Sequence, residues 1–143
     1  MLSEYTVPWI AAESDHGWEL GLKWIESKKE TMQSSGWATL ASLVGITEDD
    51  QLNIRELRSL LKRVEKEMHK APNRVRYAMN NFVICVAGYV KEMTEEAIQT
   101  GNTIGKVQVN MGNTACKVPY APEYIQKMID KGYVEKKRKM ARC

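Results

Sequence analysis

The chain has 143 residues, 43% of them hydrophobic, and a formal net charge of +3, which suits one domain with a single core. No apolar run approaches the roughly 20 residues of a membrane-spanning helix, and the N-terminus lacks signal-peptide regions, so we expect a cytoplasmic protein without a membrane partner. Three widely spaced cysteines imply no disulfide framework, and no Cys or His pair has the spacing of a zinc site, so we expect no metal.

The first third of the chain predicts three helices, because apolar residues recur at helical spacing. The first covers residues 2–13 and is interrupted at Pro8, which lacks the N–H that a helix interior requires. Ser14 or Asp15 is expected to cap the second helix, since short polar side chains accept hydrogen bonds from the first N–H groups. The third helix covers about 29–44.

The fourth predicted helix has the clearest amphipathic pattern in the sequence. Asn53, followed three residues later by Glu56, predicts a capping box at its start. The apolar residues that follow are spaced 3, 4, 3 and 4 apart, which places them on one face. They are Ile54, Leu57, Leu61, Val64 and Met68.

The second half predicts three further helices around an irregular segment. Asn73 is expected to cap a helix that is apolar on nearly every side over 79–90, which is typical of the middle of a bundle. Another helix begins at Thr94. Residues 106–120 predict an ordered loop, with a β-hairpin as the alternative, and Pro122 fits the first turn of the last helix.

About seven helices therefore pair into antiparallel hairpins of roughly 30–45 residues, the size of a HEAT-type repeat unit. We predict an all-α fold in which such hairpins stack as a HEAT-like superhelix over residues 1–134, with a plain helical bundle as the alternative. Residues 135–143 form a basic tail that we expect to be mobile.

Charge is unevenly distributed along the chain. Residues 1–70 hold 9 Lys and Arg against 12 Asp and Glu, whereas residues 71–143 hold 12 against 6. A basic second half is compatible with a phosphate-binding face, although a solvated surface with a basic tail gives the same count.

Three segments of the second half resemble a known family. They are Arg-Val-Arg-Tyr-Ala-Met-Asn-Asn-Phe at 74–82, Ile-Gly-Lys-Val at 104–107, and Gly-Asn-Thr-Ala-Cys-Lys-Val-Pro-Tyr-Ala-Pro-Glu-Tyr-Ile at 112–125. Their order and spacing are similar to the C-terminal part of AlkD-like DNA alkylation-repair proteins. The resemblance implies a curved stack of HEAT-like hairpins that holds alkylated duplex DNA, and a glycosylase that removes cationic N3- or N7-alkylated purines without metal or cofactor.

The sequence departs from the family pattern at the catalytic positions. The family carries a Trp-x-x-x-Asp motif, which occurs nowhere in this chain, and a later tryptophan whose place is taken by Asn81. We therefore expect that Met1 begins inside the domain, after missing N-terminal repeats, and that catalytic residues are not identified in this chain. An uncovered end of such a stack could pair with a second copy to form a homodimer.

Six residues are the candidate DNA contacts. Cationic side chains bind phosphate, an amide can bond a base or backbone, and an aromatic ring can contact a lesion or sugar. The competing interpretations are ion pairing with a neighbouring helix, a structural amide bridge between repeats, loop stabilisation and core packing. The candidates are Arg74, Arg76, Asn81, Lys106, Lys117 and Trp24.

Two functions from different classes fit these patterns. The first is a DNA-alkylpurine glycosylase or a part of one, and the second is a non-catalytic helical-repeat module that binds DNA or protein. A carboxylate and an aromatic side chain beside the arginines would favour the enzyme, because an oxocarbenium-like transition state needs negative charge close to the sugar.

Overall fold

The computed structural model describes residues 6–110, 118–132 and 137. Over these residues the chain forms seven α-helices and three single-turn 3₁₀ segments, without a strand, so the all-α prediction is confirmed. None of the described helices is both long enough and apolar enough to cross a bilayer. The helices are α1 (Thr6–Glu13), α2 (Gly17–Ile25), α3 (Glu30–Ile46), α4 (Ile54–Glu67), α5 (Asn73–Tyr89), α6 (Thr94–Ile104) and α7 (Ala121–Asp130).

Helices α3 and α5 lie parallel in one layer. At their starts, the carboxylate of Glu30 accepts a hydrogen bond from the backbone N–H of Arg74 at 2.9 Å. Beyond their ends, Asp49 accepts from the backbone N–H of Lys91 at 3.3 Å. Helix α7 contacts α5, and α1 contacts α3, so α3 and α5 lie between the two outer helices of the layer.

The second layer contains α2, α4 and α6. The start of α6 meets the start of α4 through Arg58 and Glu96, and its end meets the end of α4 through His69 and the carbonyl of Ile104. These two contacts show that α4 and α6 are parallel to each other. Each helix of this layer precedes a helix of the other layer in the chain, so the chain alternates between two layers of helices.

The core between the layers is centred on α3 and α5. The ring of Trp37 is fully buried and meets Phe82 edge-on, with ring centroids 5.3 Å apart and planes at 63°. Such edge-to-face pairs are more favourable than their buried area alone suggests. The predicted all-apolar helix is the one at the centre, and its buried residues cover nearly every direction around its axis.

The predicted cap of the second helix was wrong. Neither Ser14 nor Asp15 caps α2, because the residue before that helix is His16 and its side chain makes no capping bond. Ser14 instead donates to the carbonyl of Ala11 and closes the end of α1. Pro8 lies within α1 as described, Thr6–Glu13, and residues 2–5 of the predicted first helix lie outside the described part.

The cap of α4 was predicted correctly, and the cap of α5 was not. The side chain of Asn53 accepts from the backbone N–H of Glu56 at 3.1 Å, as a helix N-cap does. Asn73, by contrast, is the first helical residue of α5, and Pro72 precedes it at the N-cap. Its amide bonds a distant loop, so a local capping pattern in the sequence has a tertiary role.

The segment after α6 is irregular where it is described. Gly105 ends α6 with a φ of 64°, a left-handed conformation that glycine adopts without strain. Residues 107–110 and 118–120 are neither helix nor strand, in agreement with the predicted loop, and residues 111–117 lie outside the described part. Most of the predicted tail also lies outside it.

Helices α2 and α3 cross at two glycines. A Cβ atom at Gly36 would lie 2.6 Å from the backbone nitrogen of Ile25 and 2.9 Å from the carbonyl oxygen of Gly21. Both atoms belong to the backbone, so the helices would have to separate. A Cβ atom at Gly88 would approach only the terminal methyl of Met128, a flexible side chain that can rotate away.

We expect Gly36→Ala to lower the free energy of unfolding by about 1–3 kcal/mol, because overpacking at a backbone contact forces the helices apart. Gly88→Ala is the matched control: it should leave stability unchanged or raise it by up to about 1 kcal/mol, since alanine favours helix. Urea unfolding followed by circular dichroism measures both. Equal effects of the two substitutions would contradict the close α2–α3 crossing.

Candidate nucleic-acid interface

Two long stretches, one beginning just before the second half and one within it, contain no acidic residue. Residues 68–91 and 97–122 hold no Asp or Glu, and they carry Lys70, Arg74, Arg76, Lys91, Lys106 and Lys117. We call these two stretches together the acid-free region. A surface built from them would have a positive potential that no internal carboxylate cancels, as a phosphate backbone requires.

The structure brings the two stretches side by side just before and at the start of α5. The Nε2 atom of His69 lies 2.8 Å from the carbonyl oxygen of Ile104. The amide of Asn73 makes two bonds with one residue: it donates to the carbonyl of Asn110 at 2.7 Å and accepts from its N–H at 2.6 Å. The loop that leaves α6 therefore runs along the N-terminal end of α5.

A fourth bond joins the stretches in the middle of α5. The amide nitrogen of Asn80 donates to the carbonyl of Pro119 at 2.9 Å, two residues before α7 begins. Asn80 is 1% exposed, so this bond satisfies a buried donor and links two successive repeats. Asn80 is thus a structural bridge between α5 and the segment that precedes α7.

Arg74 and Arg76 lie in the first turn of α5, as predicted, and both are half-buried. The backbone N–H of Arg74 is bonded to Glu30, which places one carboxylate at this end of the helix. Arg76 makes no ion pair with any described residue, and its buried Nε atom has no hydrogen-bond partner. The charge of Arg76 is therefore not cancelled by a described carboxylate, and the exposed part of its guanidinium can pair with an anion.

The two candidate lysines have different outcomes. Lys106 is exposed and lies between the two tethered residues Ile104 and Asn110, so the structure carries it to the same end of α5 as the arginines. It forms no ion pair with a described residue. Lys117 lies outside the described residues.

Asn81 is exposed, unlike the amide expected for a helix that is apolar all round. It lies on the rim of a small pocket on α5, of about 20 Å³. The lining residues are Tyr77, Asn80, Asn81, Ile84 and Pro119, all of which belong to the acid-free region.

Trp24 stands apart from the other candidates. It is half-buried on α2, in the other layer, and no hydrogen bond between described residues connects it to α5. The next residue, Ile25, packs against Gly36 of α3, and its carbonyl accepts a long bond from Arg63 of α4. This end of α2 is therefore held by α3 and α4.

The cations of α4 are largely neutralised within the protein. Arg58 donates two bonds of 2.7 Å to Glu96, and this hydrogen bond, followed by charge attraction, lowers the pKa of Glu96 below its usual value. Burial lowers the pKa of Arg63, but hydrogen bonds to Glu26 and Glu67 outweigh it and raise that pKa overall. These ion pairs leave less positive charge for a ligand on this layer.

A larger cleft elsewhere has unsuitable charge for a nucleic acid. It measures about 270 Å³ and lies between the end of α3 and the start of α4. Glu56 lines it, and the segment 48–50 beside it is entirely acidic, so a phosphate would be repelled. The other lining residues are Trp18, Leu43, Thr47, Gln51, Leu52 and Asn53.

Sequence reasoning assigned Asn73 to a helix cap and so missed its bonds to Asn110, and it did not identify the partner of Asn80. The absence of acidic residues over two long stretches is the signal that could have found the region. Charge counts taken over each half of the chain conceal these stretches. The hydrogen bonds that join the stretches depend on tertiary pairing, which no local pattern specifies.

No protein-family profile matches the chain. Uncharacterized proteins of Listeria innocua and Listeria monocytogenes are each 36% identical to it over 118 residues, which is 82% of this chain and 50% of each relative. The chain thus spans about half the length of the curated relatives it matches.

A solved structure matches the whole chain, with a TM-score of 0.91 and 34% identity, and the match covers 61% of that protein. It is described as a new family of proteins related to the HEAT-like repeat DNA glycosylases with affinity for branched DNA structures. The chain therefore has the HEAT-like repeat fold, and the stacked-hairpin prediction is confirmed.

The Arg58–Glu96 pair predicts a pH dependence of stability. The pKa of Glu96 is lowered in the folded state, so its contribution is present above the unfolded-state pKa and is lost as pH falls through the folded-state pKa. We expect Glu96→Gln to be less stable than the parent protein at pH 7 and equally stable at strongly acidic pH. Thermal unfolding across this range measures the difference. Glu95→Gln, in the same helical turn and without an ion pair to a described residue, is the control. A pH-independent difference for Glu96→Gln would contradict the prediction.

Proposed function

We propose that this chain is a DNA-binding helical-repeat module that holds branched DNA against its acid-free region. The observation that carries the proposal is the position of Arg76: an arginine without an ion pair to a described residue, on a helix with no acidic residue. The affinity of the solved relative for branched DNA supports the choice of ligand.

The charges of the region suit the sugar-phosphate backbone. Arg74, Arg76 and Lys106 lie at one end of α5, where the positive end of the helix dipole adds to their charge. Cations that neutralise phosphates release bound counterions, so affinity depends on salt and little on sequence. Branched DNA presents several backbones at converging angles, which a positively charged surface can contact together.

The resemblance to AlkD-like proteins also supports a second candidate, excision of cationic alkylated purines. The solved relative is described as related to such glycosylases. Excision requires a carboxylate beside the sugar, whereas the acid-free region contains none and the chain has no Trp-x-x-x-Asp motif. We therefore propose binding without excision for this chain.

Arg76→Gln should weaken binding to a four-way DNA junction by about tenfold and reduce the slope of log affinity against log salt by about 1, because one phosphate contact is lost. Fluorescence anisotropy between about 50 and 200 mM salt, the range over which phosphate contacts dominate, measures both quantities. Arg55→Gln is the control, since Arg55 is exposed on α4 and forms no ion pair with a described residue.

Two results would contradict the proposal. One is junction affinity that does not change with salt, which would indicate that phosphates are not neutralised. The other is equal loss from Arg76→Gln and Arg55→Gln, which would show that charge acts without regard to the layer on which it lies.

A second measurement separates binding from excision. We expect no release of 7-methylguanine when saturating amounts of this chain are incubated with methylated duplex DNA, followed by chromatography of the freed bases. Release above the spontaneous rate by this chain would favour the glycosylase and overturn the proposal of binding alone.

A further inference from the structure

One buried acceptor in the acid-free region has no partner in the described part of the chain. The amide nitrogen of Asn80 is bonded to Pro119, which fixes the orientation of the side chain, and leaves Oδ1 on the other side. Asn80 is 1% exposed, and Oδ1 has no hydrogen-bond partner among the residues that the structure describes. A buried carbonyl oxygen in this state requires a donor from water or from a ligand.

This asparagine lines the small pocket on α5 together with the half-buried ring of Tyr77 and exposed Asn81. The pocket volume of about 20 Å³ exceeds the roughly 10–15 Å³ that one water needs. It can therefore admit one group the size of water or an amino group, and it is too small to enclose a nucleobase ring.

The chemistry of DNA restricts which group can enter. Phosphate and sugar ether oxygens accept hydrogen bonds and cannot donate to Asn80 Oδ1, whereas exocyclic amino groups of bases are donors. The acceptor is recessed behind Tyr77, Asn81 and Pro119, so a base must leave the stack to reach it. Branch points contain unstacked bases, for which this cost is small.

Resting on the proposed function, we propose that this pocket receives the exocyclic amino group of an unpaired base at a DNA branch point. Asn80 Oδ1 accepts the hydrogen bond, the ring of Tyr77 lies against the base, and Asn81 contacts its exposed edge. The arginines at the start of α5 hold the adjoining backbone. Branch recognition thus combines a charge contact that is indifferent to sequence with one base-edge contact.

The test uses a three-way junction with two unpaired nucleotides at the branch point. In one junction both are deoxyadenosine, and in the other both are purine deoxyriboside, which has the same ring without the amino group. Binding of the parent protein is measured by anisotropy at one salt concentration. We expect about tenfold weaker binding to the junction that lacks the amino groups, the order of one hydrogen bond to a buried acceptor.

Variants assign the effect to the pocket. Asn80→Leu removes the acceptor and should bind the two junctions equally, and circular dichroism reports whether it folds. Asn81→Ala leaves the buried bridge intact and should weaken binding to the adenosine junction more than to fully paired duplex. Gln99→Ala, at an exposed position of α6, is the matched control and should change neither.

The outcomes distinguish this inference from the function on which it rests. Salt-dependent binding that is equal for the two junctions would overturn the pocket assignment and leave DNA binding intact, with a single water as the occupant. Absence of binding to any junction would overturn the proposed function itself. A preference for the adenosine junction that Asn80→Leu retains would place the contact elsewhere.

Discussion

Glu30 and Trp37 hold α5 parallel to α3, and the rest of the structure depends on this pairing. The Glu30 carboxylate binds the first turn of α5, and the Trp37 ring packs against Phe82 two turns further along. A helix that is apolar nearly all round is stable only when other helices cover it. Once α5 is fixed, α6 and α7 have defined faces on which to pack, and the loop between them passes the start of α5.

The two layers use their cations differently. On α4, arginines are bound to carboxylates of the same layer, where they stabilise the stack and contribute little net field. Around α5, carboxylates are absent from the local sequence, and Arg76 and Lys106 form no ion pair with a described residue. Successive helices of the chain enter alternate layers. A repeat fold can therefore place cations that form internal ion pairs in one layer and cations available to a ligand in the other.

Sequence patterns predicted the features that are set by residues close together in the chain. The regular spacing along α4, the Asn53 cap and the proline at the start of α7 follow from local geometry, and the structure has them. Ser14 and Asn73 show the limit, because each is a good capping residue whose side chain found another carbonyl. The acid-free region could have been found as a composition, but its assembly into one surface depends on bonds between residues 35 to 39 positions apart.

Lys137 connects two parts of the helical stack that are far apart in the chain. Its ammonium lies 2.7 Å from Asp49 and 3.0 Å from the carbonyl of Val44, near the end of α3, across a separation of 93 residues. In an array where each repeat touches only its neighbours, the terminal hairpin can fray while the others remain folded. A contact between the last residues and an early helix opposes such fraying, because releasing the terminal hairpin also leaves the end of α3 without its cation. The stack should therefore lose its structure in fewer, larger steps than its repeat organisation alone implies.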